Sequence, residues 1–572
     1  MISRTSLTSA TTIKIVGLIG ALTIGVFIKD PVKNFYKKMF TVQTNDLSAI
    51  GTLYNEGIQL HGQGKFDEAV KTFKKALTCH PDFTKTLIRL GASAYAQNKY
   101  EEALHYYKSA ISIEPRHINA YISIGMTLNK LDRGEEALKY FDIATSVEPN
   151  SFDAFLQLSK TEMDLKKIDV AIEHAQKAVA IQPKNIHGHL NLGHVYNKKG
   201  ELELAVKQYK KVIEIDPRCA NAHYNLGYTL RLLKRNPEAI KSLQTASSLQ
   251  AKYVDAHVCL AQCYWTLNDF DKAWPEYEWR WNMLGINPRK MDVPIWEGQD
   301  LKGKSILLYC EQGLGDTLQF IRFAKIIKQK GATVICKVQK PLITLLSSYP
   351  YIDKLITDFG DKSKFDYQIP LLNIPGVIKT NLTTIPAEIP YLKADPKLIE
   401  FWKNKLAHDK KFRIGLCWHV DPEHEIDKSP WAIRSFPAHL FVPLNSTANI
   451  SFYSLQKING EEQIKNLPDS FSIHTFGYNF DEKHGRFMDS AAVIMNLDLI
   501  ITVDTSIAHL AAGMGKKVWM LLPYSPDCRW YDDRSDTPWY PTMRLFRQPK
   551  PYDWDSVSKE LASALAQLVK SS

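Results

Sequence analysis

The sequence predicts a multidomain chain. A short apolar segment comes first, then an all-α repeat array, then an α/β region of two lobes with parallel sheets. Three observations carry this. Pro81, Pro115, Pro149, Pro183 and Pro217 recur every 34 residues. From about Ser305 that period ends, and short apolar runs alternate with helical patterns. Ahead of both, Ile15 to Ile28 reads IVGLIGALTIGVFI, fourteen residues without a charge. A chain of 572 residues is also too long for one core.

The N-terminal segment is taken as residues 1–45. Extending the apolar run back to Thr11 gives eighteen residues and includes Lys14. A membrane span wants about 20 apolar residues, and a lysine near its end can snorkel. No A-x-A-like cleavage site follows. The expectation is an uncleaved anchor at residues 11–28. Lys29, Lys33, Lys37 and Lys38 outnumber Arg4 and Lys14, which puts the bulk of the chain on the cytoplasmic side. A soluble cytoplasmic protein and an organelle-targeted one are the alternatives.

The net charge of +11 does not describe a nucleic-acid surface. Residues 1–40 hold those six basic side chains and one acid, Asp30, which is +5 and leaves +6 for the rest. Eight cysteines are scattered without a CxxC pair or zinc spacing, which fits reduced thiols.

The repeats are expected over residues 46–285, about seven of them. Ala69, Ala103, Ala137, Ala171, Ala205, Ala239 and Ala273 keep the 34-residue step. So do Gly57, Gly91, Gly125, Gly193 and Gly227, with Ser159 and Ala261 in the gaps, and the aromatics Phe73, Tyr107, Phe141, Tyr209 and Tyr277. Small residues let the two helices of a repeat approach, the aromatic fills the space between one repeat and the next, and proline closes the second helix and begins the next turn. This pattern resembles the tetratricopeptide repeat. The resemblance implies an all-α superhelix whose concave face receives a protein or peptide. In the superhelix of the O-GlcNAc transferases, a ladder of asparagines at the sixth repeat position holds an extended peptide. Here Asn55, Asn191 and Asn225 match it, while Arg89, Ser123, Gln157 and Cys259 do not. A polar, solvated face is the other reading.

Strands are expected at 305–309, 333–338, 414–418, 451–456, 499–503 and 518–522, with helical patterns between several of them. Two strand-turn-helix units stand out, at 305–330 and 499–514. The predicted lobes are 300–395 and 411–572. In the second, Val503-Asp504-Thr505-Ser506 ends a buried strand and opens a helix. Thr505 or Ser506 can cap that helix, whose N–H groups and dipole attract anions. His509 lies one turn on, on the same face. Ordinary capping beside a satisfied histidine is the alternative. In the first lobe, CEQGLGDTLQFIRFA at 310–324 places Asp316 where a phosphate would otherwise sit.

The runs GLGDTLQF, GLCW at 415–418, FYSLQ at 452–456 and LDLIITVDTSIAHLAAGMGKKVWMLLP at 497–523 resemble the heptosyltransferase-type family 9 glycosyltransferases, in their tetratricopeptide-fused branch. PDCRW at 526–530 and TPWYPTMRLFRQ at 537–548 are similar too, with Thr537 where the family has serine. The resemblance implies a GT-B fold of two Rossmann-like lobes, no metal or other cofactor, and a nucleotide-sugar substrate. It places Asp504, Thr505, Ser506 and His509 at the donor and Asp316 at the acceptor as general base. Gly313 and Gly315 would let the backbone pass close to substrate. The helix N-terminus favours the charged form of Asp316, which works against proton abstraction, and a capping role is the alternative. Arg434 is a further candidate for the diphosphate, Gln456 for the nucleotide pocket, and Trp418 for the base or for the core. Asp532 and Asp533 read as surface acids.

Three functions fit. The first is a glycosyltransferase acting on a protein or peptide held by the repeats. The second is a repeat scaffold whose GT-B unit is inactive or only binds nucleotide. The third is a nucleotide-sugar epimerase.

Overall fold

The computed structural model describes residues 47–79, 83–283, 293–359, 365–421, 432–477 and 479–570. It forms two compact units, Met1–Val195 and Tyr196–Ser572. The apolar stretch at residues 11–28, expected to anchor the chain, lies outside the described residues. Among those described, no helix is long and apolar enough to cross a membrane.

From Leu47 to Tyr277 the described chain is a succession of helices, which pair within each unit. In the first unit, Leu47–Gly62 pairs with Phe66–Cys79, Thr84–Ala96 with Tyr100–Ile113, Ile118–Lys130 with Gly134–Val147, and Phe152–Asp164 with Ile168–Ile181. The 34-residue glycines explain the pairing. A β-carbon on Gly57 or Gly91 would run into the ring of Phe73 or Tyr107, and one on Gly125 would come within 2.5 Å of Phe141. The aromatic of the second helix therefore packs on the bare backbone of the first, inside one repeat and not between repeats as expected from the sequence. Ala69, Ala103 and Ala137 are fully buried beside these contacts. Neighbouring repeats are tied by side chains as well: His61 Nδ1 lies 2.9 Å from Ser93 Oγ, and Asn129 Nδ2 donates to Thr161 Oγ1 at 2.7 Å.

Each turn inside a pair holds a residue in the left-handed region. Gly64, Asn98, Asp132, Lys166, Gly200, Lys234 and Asn268 have φ between 56° and 93° and stand 34 apart. They end the first helix of each pair, where a left-handed residue lets backbone N–H groups turn back onto the last carbonyls.

The second unit continues the helical pairs, including Ala220–Leu232 with Asn236–Leu249 and Val254–Thr266 with Phe270–Tyr277. Two sheets follow. The four-stranded sheet has the order β3-β2-β1-β4, with β1 Ser305–Tyr309, β2 Thr333–Lys337, β3 Lys354–Ile356 and β4 Tyr367–Pro370. The six-stranded sheet has the order β10-β9-β8-β5-β6-β7, with β5 Phe412–Cys417, β6 Ile450–Ser454, β7 Ile473–His474, β8 Leu499–Val503, β9 Val518–Leu522 and β10 Met543–Arg547. Every ladder in both sheets is parallel. An all-helical repeat region followed by parallel α/β structure is thus what the sequence pattern specified. Four strands had no sequence signal strong enough to be expected: β3, β4, β7 and β10.

The last repeats are packed into this α/β structure. Lys234 Nζ sits 4.1 Å over the ring of Tyr524, and Asn236 Nδ2 donates to Asp532 Oδ2 at 2.9 Å. Asp532 is therefore not the plain surface acid expected. Trp274 packs on Gly376, where a β-carbon would lie 3.1 Å from its ring. Arg280 and Glu311 form an ion pair with side chains 3% and 1% exposed. The array thus reaches both sheets within this unit.

Candidate functional site

Both strand-turn-helix units end in short helices, Leu314–Phe320 after β1 and Ser506–Gly513 after β8. In parallel α/β sheets the carboxyl ends of strands are where ligands collect. The fold brings the two helix starts face to face. A β-carbon on Gly315 would lie 2.9 Å from His509 Cδ2 and 3.6 Å from Ser506 Cα. This corrects the expectation that Gly315 gives way to substrate: its missing side chain lets the second helix start approach. Gly313 is the residue before the first helix, and its N–H donates to Asp316 Oδ2 at 3.1 Å.

Asp316 is therefore a capping carboxylate, and it is also half of an ion pair. Its Oδ1 lies 2.8 Å from Arg529 Nη1. Arg529 was not singled out in the sequence, although PDCRW was. It sits in the 3₁₀ turn Cys528–Trp530, just past β9. Its Nε also donates to Asp527 Oδ1 at 2.9 Å, and its Nη1 to Gln319 Oε1 at 2.7 Å. Burial works against its charge, yet Asp527, Asp316 and Asp504 hold its pKa well above the usual arginine value.

The neighbouring residue, Trp530, points the other way. Its indole N–H donates to Asp504 Oδ2 at 2.9 Å. Asp504 is buried at the end of β8. Burial alone would raise its pKa, but His509 and the cations Arg434 and Arg529 hold it well below the carboxylate range. His509 is 2% exposed. Its Nε2 lies 3.6 Å from Asp504 Oδ1, and its Nδ1 lies 2.9 Å from the Tyr540 hydroxyl. The histidine is held on both sides by protein. Arg434 Nη1 donates to the Asp504 carbonyl at 3.1 Å, which places it beside the same turn.

Thr505 occupies the position before the second helix, but its hydroxyl does not cap. It turns instead toward Thr502 Oγ1 at 3.2 Å and Cys417 Sγ at 3.8 Å. No N–H of that first turn is taken by the Thr505 side chain.

Two candidates prove to be supports. Trp418 is fully buried, packed edge-on against Phe441. It belongs to the core and offers no face to a base. Gln456 Oε1 accepts from the N–H groups of Trp418 and His419, both at 2.9 Å, and its Nε2 donates to the carbonyls of His419 and Asn459. It pins the ends of β5 and β6 together. The sixth-position asparagines differ from one another. Asn55 is exposed, Asn225 is half-buried, and Asn191 is 3% exposed with its Nδ2 donating to Ser159 Oγ at 2.7 Å. Asn191 thus ties one repeat to the preceding one.

Comparison with known proteins identifies the helical part. The family model described as Tetratricopeptide repeat matches residues 84–117, and a second so described matches 152–185 and 220–253. One described as TPR repeat matches 193–234. Protein FlbA of Caulobacter vibrioides is 24% identical over 324 residues, covering 52% of this chain and 53% of FlbA. The chain thus spans about half the length of that curated relative. Among solved structures, YrrB, titled a TPR protein with an unusual peptide-binding site, is 24% identical and covers 32% of this chain and 95% of its own, with a TM-score of 0.28. TTC0263 of Thermus thermophilus, a thermophilic TPR protein, is 23% identical and covers 32% and 100%, with a TM-score of 0.29. The helical region of this chain carries tetratricopeptide repeats, and with them the capacity for protein–protein interaction.

Proposed function

We propose that the chain is a glycosyltransferase that moves a sugar from a nucleotide-sugar donor to a protein or peptide acceptor held by the repeats. On this reading the two parallel sheets are the lobes of a GT-B unit. One observation carries it: Asp316, after β1 of one sheet, and Asp504, after β8 of the other and just before the Ser506–Gly513 helix, are both bound by the same turn, Asp527–Trp530. The donor diphosphate would sit at the Ser506–Gly513 helix start, with its N–H groups, Arg434 and the helix dipole opposing the negative charge. The acceptor hydroxyl would attack the anomeric carbon. The new C–O bond forms as the bond to the diphosphate breaks, the nucleoside diphosphate leaves with that electron pair, and Asp316 takes the proton. An N-terminal anchor at residues 11–28 belongs to the same proposal, and membrane fractionation of the full chain tests it.

The first test needs no acceptor. Titrating the full chain with ADP, UDP, GDP and CMP by calorimetry is expected to select one of them, with Arg434→Ala weakening it directly and Thr505→Ala weakening it only through the packing of the turn before the helix. Asp316→Asn is expected to keep that affinity and abolish transfer. Binding of none of the four by folded protein would sink the donor site.

A second reading rests on a specific observation. Both oxygens of Asp316 are already engaged, by Gly313 N–H and by Arg529. A repeat scaffold that binds nucleotide without transferring sugar accounts for that arrangement. Nucleotide binding together with no sugar release from any nucleotide sugar would favour it.

A further inference from the structure

We propose that Arg529 is a positioning residue for Asp316, holding the carboxylate that the reading above makes the general base; the proposal rests on that reading for its catalytic meaning only. PDCRW carries an arginine that the proposed reaction does not use. Its arginine is fixed from three sides. Asp527 takes its Nε at 2.9 Å, Gln319 takes Nη1 at 2.7 Å, and Phe320 lies beneath the guanidinium at 6.0 Å. The fourth direction carries Asp316 at 2.8 Å. The side chains of Arg529 and Asp316 are 13% and 17% exposed, so the pair is little screened by water. With Gly313 N–H on the other oxygen, both oxygens of the carboxylate are held. A planar guanidinium with several donors in a fixed fork does this better than a point charge. Arg529 pairs directly with the acceptor-side carboxylate, while on the donor side its charge reaches Asp504 only through space.

The test compares the full chain with Arg529→Met, Arg529→Lys and Asp316→Asn. The first readout is hydrogen exchange of the amides in residues 311–317. Arg529→Met and Asp316→Asn are each expected to speed it by about tenfold, because each removes one end of the same charge-assisted bond. Arg529→Lys is expected to fall between wild type and Arg529→Met. The second readout splits binding from turnover: in Arg529→Met the Kd for the selected nucleotide stays within about twofold, while kcat for transfer falls by about tenfold or more. Unchanged exchange in Arg529→Met, or equal exchange in the Lys and Met variants, overturns the proposal. So does a loss of nucleotide affinity in Arg529→Met, which would move the arginine to the donor. Should Arg529→Met not fold, Asp316→Asn and Arg529→Lys still decide it by the same exchange. If wild type transfers no sugar while the exchange behaves as expected, the enzyme reading fails and the positioning contact stands.

Discussion

Gly315 and His509 touch across the two strand-turn-helix units: a β-carbon on the glycine would lie 2.9 Å from Cδ2 of the imidazole. The imidazole has little room to yield. Tyr540 holds Nδ1 at 2.9 Å, and Asp504 lies 3.6 Å from Nε2. Gly315→Ala is therefore expected to push the two helix starts apart and to cost about 1–3 kcal/mol of stability. Chemical denaturation reads the stability, and nucleotide titration reads the site. A variant as stable as wild type would mean that His509 repacks freely.

The buried carboxylate of Asp504 makes stability depend on pH in a defined direction. His509, Arg434 and Arg529 hold its folded-state pKa well below the ordinary aspartate value, against the opposing effect of burial. Such a group contributes fully above the unfolded value, about 3.9, and the contribution is lost as the pH falls through that value toward the folded one. Asp504→Asn leaves Arg434 and Arg529 without this counter-charge. It is expected to lose about 3 kcal/mol near neutral pH. It should also flatten the fall in stability on acidification below pH of about 4. Urea denaturation of both proteins across pH 2–7 checks the slopes. Parallel slopes would mean that Asp504 is not the group that titrates.

Much of this was legible because local pattern and tertiary role coincide. Gly57, Gly91 and Gly125 each face the aromatic of their own helix pair, so spacing revealed the residues although it did not say which helices they join. The cores of β1, β2, β5 and β9 are unbroken apolar runs, and those of β6 and β8 are broken only by Ser451 and Thr502, close to the signature of strands buried on both faces. The missed strands lack that signature. Of these, β3 and β7 are three and two residues long, β4 ends in proline, and β10 alternates buried Met543 with exposed Arg544. Asp316 and His509 stood out because each lies in the first turn or so of a helix that follows such a run. Arg529 was not, because its partners Asp316 and Gln319 belong to a distant part of the chain and no local period links them. Trp418 shows the opposite failure: an aromatic at a strand end reads the same whether it faces a ligand or the core, and here Phe436 and Phe441 enclose it with Val420.

Glycines inside and outside the 34-residue series are not equivalent, and the difference is measurable. Gly125 lies under the Phe141 ring, with a β-carbon position 2.5 Å from it. Gly51 is exposed on the helix Leu47–Gly62 with no neighbour within 4 Å of that position. Gly125→Ala is expected to destabilise by about 1–3 kcal/mol through overpacking. Gly51→Ala should stabilise by about 0.5–1 kcal/mol, since alanine loses less backbone freedom in a helix. Hydrogen exchange of the two repeats in the full chain would report both locally. Equal effects would remove the packing explanation of the glycine period.

The left-handed ladder gives the last prediction. Five of its seven positions hold Gly, Asn or Asp, the residues that enter this region most readily, and a search for that spacing would have found them. Lys166 and Lys234 are the exceptions, at φ 62° and 60°. Lys234 has a compensating contact, its ammonium over Tyr524. Lys166 is exposed in its turn, so burial does not offset the backbone cost there. Lys166→Gly is expected to raise stability by about 0.5–1 kcal/mol, the left-handed relief less the extra freedom of glycine in the unfolded chain. Lys234→Gly gains the same relief but loses the aromatic contact, so it should be neutral or destabilising. Chemical denaturation of the pair separates the two terms. A gain in both variants would show that the Lys234–Tyr524 contact contributes nothing to stability.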